Sequence, residues 1–220
     1  MVSLNDFYIL ADAVAKKSLI GGTVTISERD YFANQAQLQI FEKDRAIFLK
    51  TKETSDYLEL FLKNVIVSVP LIGSFPYPLD FEHTASMRSY YVKPDGKSLE
   101  RYVAPVKNRD WGVISSSQLY LPTKQFPKYT EFNSEYRVLP RDIGVIMLDY
   151  FKTPQFPVWG FNVVNNRPVY NPLTTVNFEW DSFAIGEVLS AFLMLLGISI
   201  KDGELSAFAN DYLNKTNSIL

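Results

Sequence analysis

Apolar positions in the first sixty residues recur at helical spacing. Ser3-Leu4-Asn5-Asp6 is a capping-box pattern with Asp in the usual place of Glu, and Phe7, Leu10, Ala13 and Val14 follow it on one helical side. Gly21-Gly22 ends that segment. Ser27-Glu28-Arg29-Asp30 is a second capping signal and predicts a long helix, Glu28 to Lys50. Tyr31, Leu38, Phe41 and Phe48 form one apolar stripe on it, and Ala33, Ala36, Ile40 and Ile47 form another. A surface helix needs a single stripe, so two predict burial on two sides. Thr54 or Ser55 caps a short helix through Phe61.

The period then changes. Val65, Ile66, Val67 and Val69 read as a strand ending at Pro70, and the Pro- and Gly-dense run Pro70 to Pro78 as a loop. Arg88 to Lys93 and Ser98 to Val106 are strand-like, joined by the hairpin signal Pro94-Asp95-Gly96. Asn108 caps a short helix containing Trp111, and Tyr129–Phe132 and Tyr136–Leu139 are short strands, the second stopped by Pro140. Ile143 to Phe151 is the strongest strand signal. It is apolar on both faces, with Ile146, Leu148 and Tyr150 on one and Ile143, Val145, Met147 and Phe151 on the other, which predicts a central or doubly covered strand. Further β pieces fall at Phe161–Val164 and Pro168–Tyr170.

From Trp180 the spacing is helical again. Asp181 or Ser182 caps a helix to Leu196 that is apolar almost all round and so must be buried almost all round, with Gly197 as its C-cap. Asp202 caps a last helix, Gly203 to Lys215, and Thr216 to Leu220 read as its frayed end. Helices, then strands, then helices predict an α+β protein. The N- and C-terminal helices would form a helical bundle from residues 1–63 and 178–220, with an antiparallel β-rich region, 64–177, inserted between them.

Composition narrows the chemistry. The chain has no cysteine and one histidine, His83, which rules out thiol catalysis, disulfides and a His-rich metal site within one chain. Twenty-two basic and 24 acidic residues are interspersed, for a net charge of −2, so no basic block grips phosphates. The N-terminal stretch lacks the basic start of a signal peptide and carries Asp6 and Asp12. The run Phe183–Ile200 is the single candidate membrane span, and Glu187 with two glycines argues against it. Sixteen Phe, 13 Tyr and 3 Trp suit either a β-rich core or protein–protein contacts.

No nucleotide loop, nucleophile elbow, zinc helix or calcium loop occurs. His83 lies between acidic and polar neighbours in DFEHTAS with no placed partner, and reads as a structural histidine. Asp80 and Glu82 could pair as carboxylates, but nothing separates their pKa values. Asp149 sits inside the apolar strand, where a carboxylate needs a partner; Arg137 or Arg141 is expected to supply it, in a structural or interfacial role. No catalytic, cofactor or metal residue is expected, and the chain is not expected to be an enzyme.

Three segments together carry a family resemblance: VTISERDYFANQAQLQIFEKDR (Val24–Arg45), YRVLPRDIGVIMLDYFKTPQFPVW (Tyr136–Trp159) and FEWDSFAIGEVLSAFLMLLGISIKD (Phe178–Asp202). In order and spacing they resemble head-to-tail ring, or connector, proteins in the virions of crAss-like and related tailed bacteriophages of Bacteroidetes. The stretch Pro70–Lys128 has no counterpart in that resemblance. What it implies is a virion structural protein assembled in the host cytoplasm: a homo-oligomeric ring, twelvefold, between portal and tail ring proteins, with DNA passing non-specifically through its channel and no membrane contact. A head-to-tail interface that closes by rotation makes such a ring, and a near-neutral lining would let DNA slide. Two alternatives remain: another virion component (tail hub, tail-completion or capsid accessory protein), or a small-ligand binding module or hydrolase using the aromatic loop Phe75–Phe81.

Overall fold

The computed structural model describes residues 2–15, 24–93, 96–182, 184–199, 207, 210 and 211. Gly21-Gly22, Pro94-Asp95, Phe183, the Asp202 cap, most of the last expected helix and its end at Thr216–Leu220 lie outside the described residues. The chain divides into two compact units, one of residues 1–60 with 154–220 and one of residues 61–153.

In the first unit, α1 (Leu4–Val14) begins at Ser3, whose side chain accepts from the Asp6 N–H. Its buried stripe is Leu4, Phe7, Tyr8 and Ala11; Leu10 is exposed. The long helix α2 (Ile26–Thr51) starts at Thr25 rather than Ser27. Thr25 takes the Glu28 N–H while the Glu28 carboxylate takes the Thr25 N–H, a complete capping box that satisfies two end donors at once. The expected second apolar side of α2 is corrected: Tyr31 and Ile47 are exposed, and one continuous face is buried. That face mixes Ala33, Ala36, Ile40, Phe41 and Phe48 with Arg29, Asp30, Gln37 and Asp44. Ser55 caps the short α3 (Asp56–Glu59) and donates its hydroxyl to Asp44 at 3.1 Å. The hairpin of β9 (Phe161–Val164) and β10 (Arg167–Tyr170) also belongs to this unit, turning through Asn165 and Asn166, both at positive φ. No described residue of α5 (Ile185–Ser199) up to Gly197 is exposed, as its apolar surface requires. The helix runs on through Gly197, which is therefore not its cap. Phe7 lies edge-on to Phe178 and Phe192, with centroids 4.9 and 5.2 Å away, binding α1 to α5.

The second unit is a sandwich of two four-stranded sheets. One has the order β1-β8-β3-β4: β1 (Leu62–Ser68), β8 (Val145–Lys152), β3 (Phe81–Val92) and β4 (Ser98–Tyr102). The other is β2-β7-β6-β5: β2 (Ser74–Pro76), β7 (Glu135–Leu139), β6 (Lys128–Phe132) and β5 (Ala104–Pro105). Met87, Ile146, Leu148 and Tyr150 from the first sheet meet Phe75, Tyr129, Tyr136 and Val138 from the second in one apolar core. The strong strand β8 is central, between β1 and β3; its Ile146–Leu148–Tyr150 face is inside, and on the other face Val145 is exposed, Met147 half-buried and Phe151 fully buried. The Pro94-Asp95-Gly96 turn is closed on the described side by Gly96 N–H to the Lys93 carbonyl at 2.9 Å. Helix α4 (Asn108–Ser116) buries none of its residues. Asn108 does not cap it: its amide donates to the Glu131 carbonyl at 2.7 Å and its oxygen accepts from Thr130 at 2.9 Å, tying α4 to β6.

These elements overturn the expected α+β architecture of a terminal helical bundle with an inserted antiparallel region. The described residues form five helices and ten strands in three sheets, a mixed α/β arrangement. One sheet lies in the helical unit, and β5 pairs with β6 in parallel. The reason lies in how the short strands pair, which spacing along the chain does not reveal. The turns Asn133-Ser134 and Asn165-Asn166 place both central residues at positive φ, the type I′ geometry that folds two brief strands on each other.

Candidate functional site

The residues expected to carry or exclude chemistry are engaged in structural contacts. Asp149 is held not by Arg137 or Arg141 but by Arg88 on the neighbouring strand β3. The Arg88 Nη2 donates to both oxygens of its carboxylate, at 3.1 and 3.3 Å, and Ser86 and Asn64, its cross-strand partners, also donate to it. Arg88 continues to Glu100 on β4 at 3.2 Å, so one polar row crosses the whole outer face of the sheet. The error has a simple origin: in an antiparallel sheet the nearest cation to a strand residue sits on the adjacent strand, not in the preceding loop. Arg137 instead pairs with Glu135 at 2.8 Å and stacks 4.2 Å over Phe132. Asp149→Asn removes the charge that three donors share, and should cost about 1–3 kcal/mol, read as a lower urea midpoint. A midpoint equal to wild type would show the row to be dispensable.

Asp80 and Glu82 have separate partners. Asp80 pairs with Lys63, which holds its carboxyl below the usual aspartate range, and accepts the Tyr150 hydroxyl at 2.8 Å. Glu82 accepts from Thr153 at 3.2 Å. Burial, then Asp80, pushes the Tyr150 phenol up to about 12. His83 is half-buried on β3 opposite Phe151. In the aromatic loop Phe75–Phe81, Tyr77 stacks on Phe81 and Tyr136, with centroids 4.3 and 4.6 Å away. Its phenol is pushed up to about 12 by burial and then by the Glu131 carboxylate. Thr84 bonds Tyr136 at 2.8 Å and also donates to Glu131. These phenols stay protonated near neutrality and act as hydrogen-bond donors. Among the described residues no group of three His, Asp or Glu side chains is placed to hold a metal ion, and no helix is long and apolar enough to cross a membrane.

Two features went unrecognised in the sequence. The first is the surface of the β9–β10 hairpin. Phe161, Val163, Val164 and Val169 are 42, 67, 51 and 49% exposed, although strands of this composition normally cover a core. The hairpin is fixed at its base by buried Trp159, stacked with Phe161 and Tyr170 at 5.9 Å each. The Trp159 backbone N–H bonds the Asp30 carboxylate at 3.1 Å and its indole N–H bonds Asn5 at 3.1 Å. The second feature, in the other unit, is a cavity of about 360 Å³ beside β2, β7 and α4, lined by Ser74, Trp111, Ser115, Glu135, Arg137 and Arg141 together with apolar side chains. The elements that line it are separated in sequence, so no local motif signals it. No protein-family model matches the chain, and no curated protein matches it in sequence.

Proposed function

We propose that the chain is a virion structural protein that assembles into a ring of identical subunits between portal and tail of a tailed bacteriophage. The observation that best supports assembly is the β9 edge. Two four-residue strands pair only with each other among the described residues, and a lone hairpin is at best marginal in water. Exposed edges are usually blunted by charge or proline. Pro168 does this for β10, whereas Phe161–Val164 has neither and leaves its backbone groups open to a further strand. Arg167 is the one charge between Phe156 and Val176, so the hairpin has little to repel a neighbour. The ring and its position rest on the three segments that resemble connector proteins, and the net charge of −2 suits a channel that does not grip DNA.

The test is native mass and negative-stain imaging of the purified chain, alone and with a candidate portal protein. A closed ring is expected alone or on the portal, and a monomer in both conditions overturns the reading. Val163→Lys puts a charge on the open edge at an exposed position. It should leave stability within about 0.5 kcal/mol of wild type and abolish the ring.

A further inference from the structure

We propose that the cavity beside β2, β7 and α4 binds a small organic anion, an oxyanion headgroup on an apolar body, with Arg141 as its principal ligand. The reading goes beyond the ring and does not depend on it. Its basis is a surplus of donors. Arg141 has no carboxylate partner and no hydrogen bond among the described residues, although Asp142 beside it pairs with Lys124 at 2.9 Å. The Trp111 indole N–H and the Ser74 hydroxyl have no acceptor among the described residues either. Against these donors the cavity lining holds one carboxylate, Glu135, and that is already engaged by the Arg137 Nε–H at 2.8 Å. Three donor side chains lining one concave space are therefore unpartnered among the described residues, and Arg137 and Arg141 against Glu135 make the site net positive. A guanidinium presents paired N–H groups that match the two oxygens of a carboxylate or phosphate.

The fold prepares this arrangement. Gly73 sits at φ +78°, and a Cβ there would come within 2.9 Å of the Arg141 Cγ and 3.0 Å of the Val138 carbonyl. Absence of that Cβ lets the Arg141 stem lie against the loop before β2. The Gly73 carbonyl accepts from the Val138 N–H at 2.8 Å, locking the loop to β7. Phe132 and Glu135 hold the Arg137 guanidinium. Ile72, Val138, Leu139 and the Trp111 ring supply apolar wall, and about 360 Å³ lies within the range of small-ligand sites, about 300–1,000 Å³. A bare ion would leave that wall unused, so the ligand has an apolar body.

Trp111 also supplies the signal, because it is the half-buried tryptophan while Trp159 and Trp180 are buried. Full-length protein is titrated with phenyl phosphate, benzoate and inorganic phosphate at matched ionic strength, following tryptophan fluorescence and heat. A saturable response is expected to phenyl phosphate or benzoate, and which one answers separates phosphate from carboxylate recognition; inorganic phosphate should bind at least tenfold more weakly than the aromatic probe. Arg141→Ala should weaken binding tenfold or more, and Arg141→Lys, which keeps the charge and loses the fork, by less. Arg141 is exposed, so both variants should keep the wild-type circular dichroism. Trp111→Phe should remove the fluorescence change and keep the heat. Responses no greater than matched sodium chloride, or equal affinity in wild type and Arg141→Ala, overturn the proposal. The oligomeric state of the same samples is read separately, so failure here does not bear on ring formation.

Discussion

Trp180→Ala is expected to destabilise the helical unit by about 3–5 kcal/mol. Trp180 is fully buried, and its indole N–H donates to the Gln37 side-chain oxygen at 3.2 Å. Gln37 is itself fully buried on α2, and its amide nitrogen donates to Asn34 at 2.9 Å and to the Gln155 carbonyl at 2.8 Å. One side chain thus joins α2 to the segment entering α5 and to the strand-free stretch after residue 153. Alanine would lose the packing of the ring and leave the glutamine oxygen buried without its donor. Phenylalanine separates these effects. It keeps most of the apolar area and removes the donor alone, so Trp180→Phe should cost about 1–3 kcal/mol. Urea denaturation followed by helical circular dichroism measures both. A Trp180→Ala loss within about 0.5 kcal/mol, the range of ordinary surface changes, would refute the keystone role of this contact.

The same contact shows why α2 was only half legible. Its existence and approximate length follow from period and capping residues, but its buried face does not. Asp30, Gln37 and Asp44 recur every seven residues among the buried positions, so the stripe that faces inward is partly polar and a search for apolar residues misplaces it. Tyr31 of one expected stripe and Ile47 of the other are exposed, while Phe41, Phe48, Ala33, Ala36 and Ile40 from the two share one buried face. The partners that make the polar positions tolerable, Tyr8, Trp159, Gln155 and Ser55, come from other segments, and sequence spacing is blind to them. The burial of α5, though not its ends, was legible because its surface is nearly uniform and no choice of face arises. In the β region Val145–Lys152 announces itself and β9 is legible at its bounds, whereas β3 is legible only from Arg88, β2 falls in a stretch that reads as loop, and β4 and β5 read as one strand.

Candidate chemistry was legible to a similar depth. That Asp149 needs a cation follows from burial alone, and that Arg88 supplies it follows only from the register of β3 on β8. The cavity with Arg141 was invisible for the same reason, because Ser74, Trp111 and Arg141 are brought together by three separate elements. The open β9 edge was seen as a strand and not as an edge. Whether a strand has one neighbour or two is a property of topology.

Arg29→Met is expected to cost about 3 kcal/mol, a large effect for a residue on a helix that sequence reading places at its polar start. Arg29 is 1% exposed, pairs with Asp12 at 3.1 Å and lies 4.2 Å over the Tyr8 ring. Beside it Asp30 accepts the Tyr8 hydroxyl at 2.7 Å and the Trp159 N–H at 3.1 Å. Burial holds the Arg29 pKa below its ordinary value and the Asp30 pKa above its own, so desolvation outweighs the attraction between them. The cluster is therefore costly to build but more costly to halve. Methionine would remove the guanidinium that pairs with Asp12, stacks over Tyr8 and lies beside Asp30. Because the folded pKa of Asp30 lies above the unfolded one, its contribution to stability is fully present below the ordinary value of 3.8 and is lost as pH rises through the raised folded value. Loss of Arg29 raises that folded value further. The deficit of Arg29→Met relative to wild type should therefore be smallest in acid and grow toward neutral pH. Adding Asp12→Leu to Arg29→Met removes the carboxylate that Arg29 paired with and should recover part of the loss. A deficit that is independent of pH, with no recovery in the double variant, would mean that Arg29 acts through packing of its stem rather than through its charge.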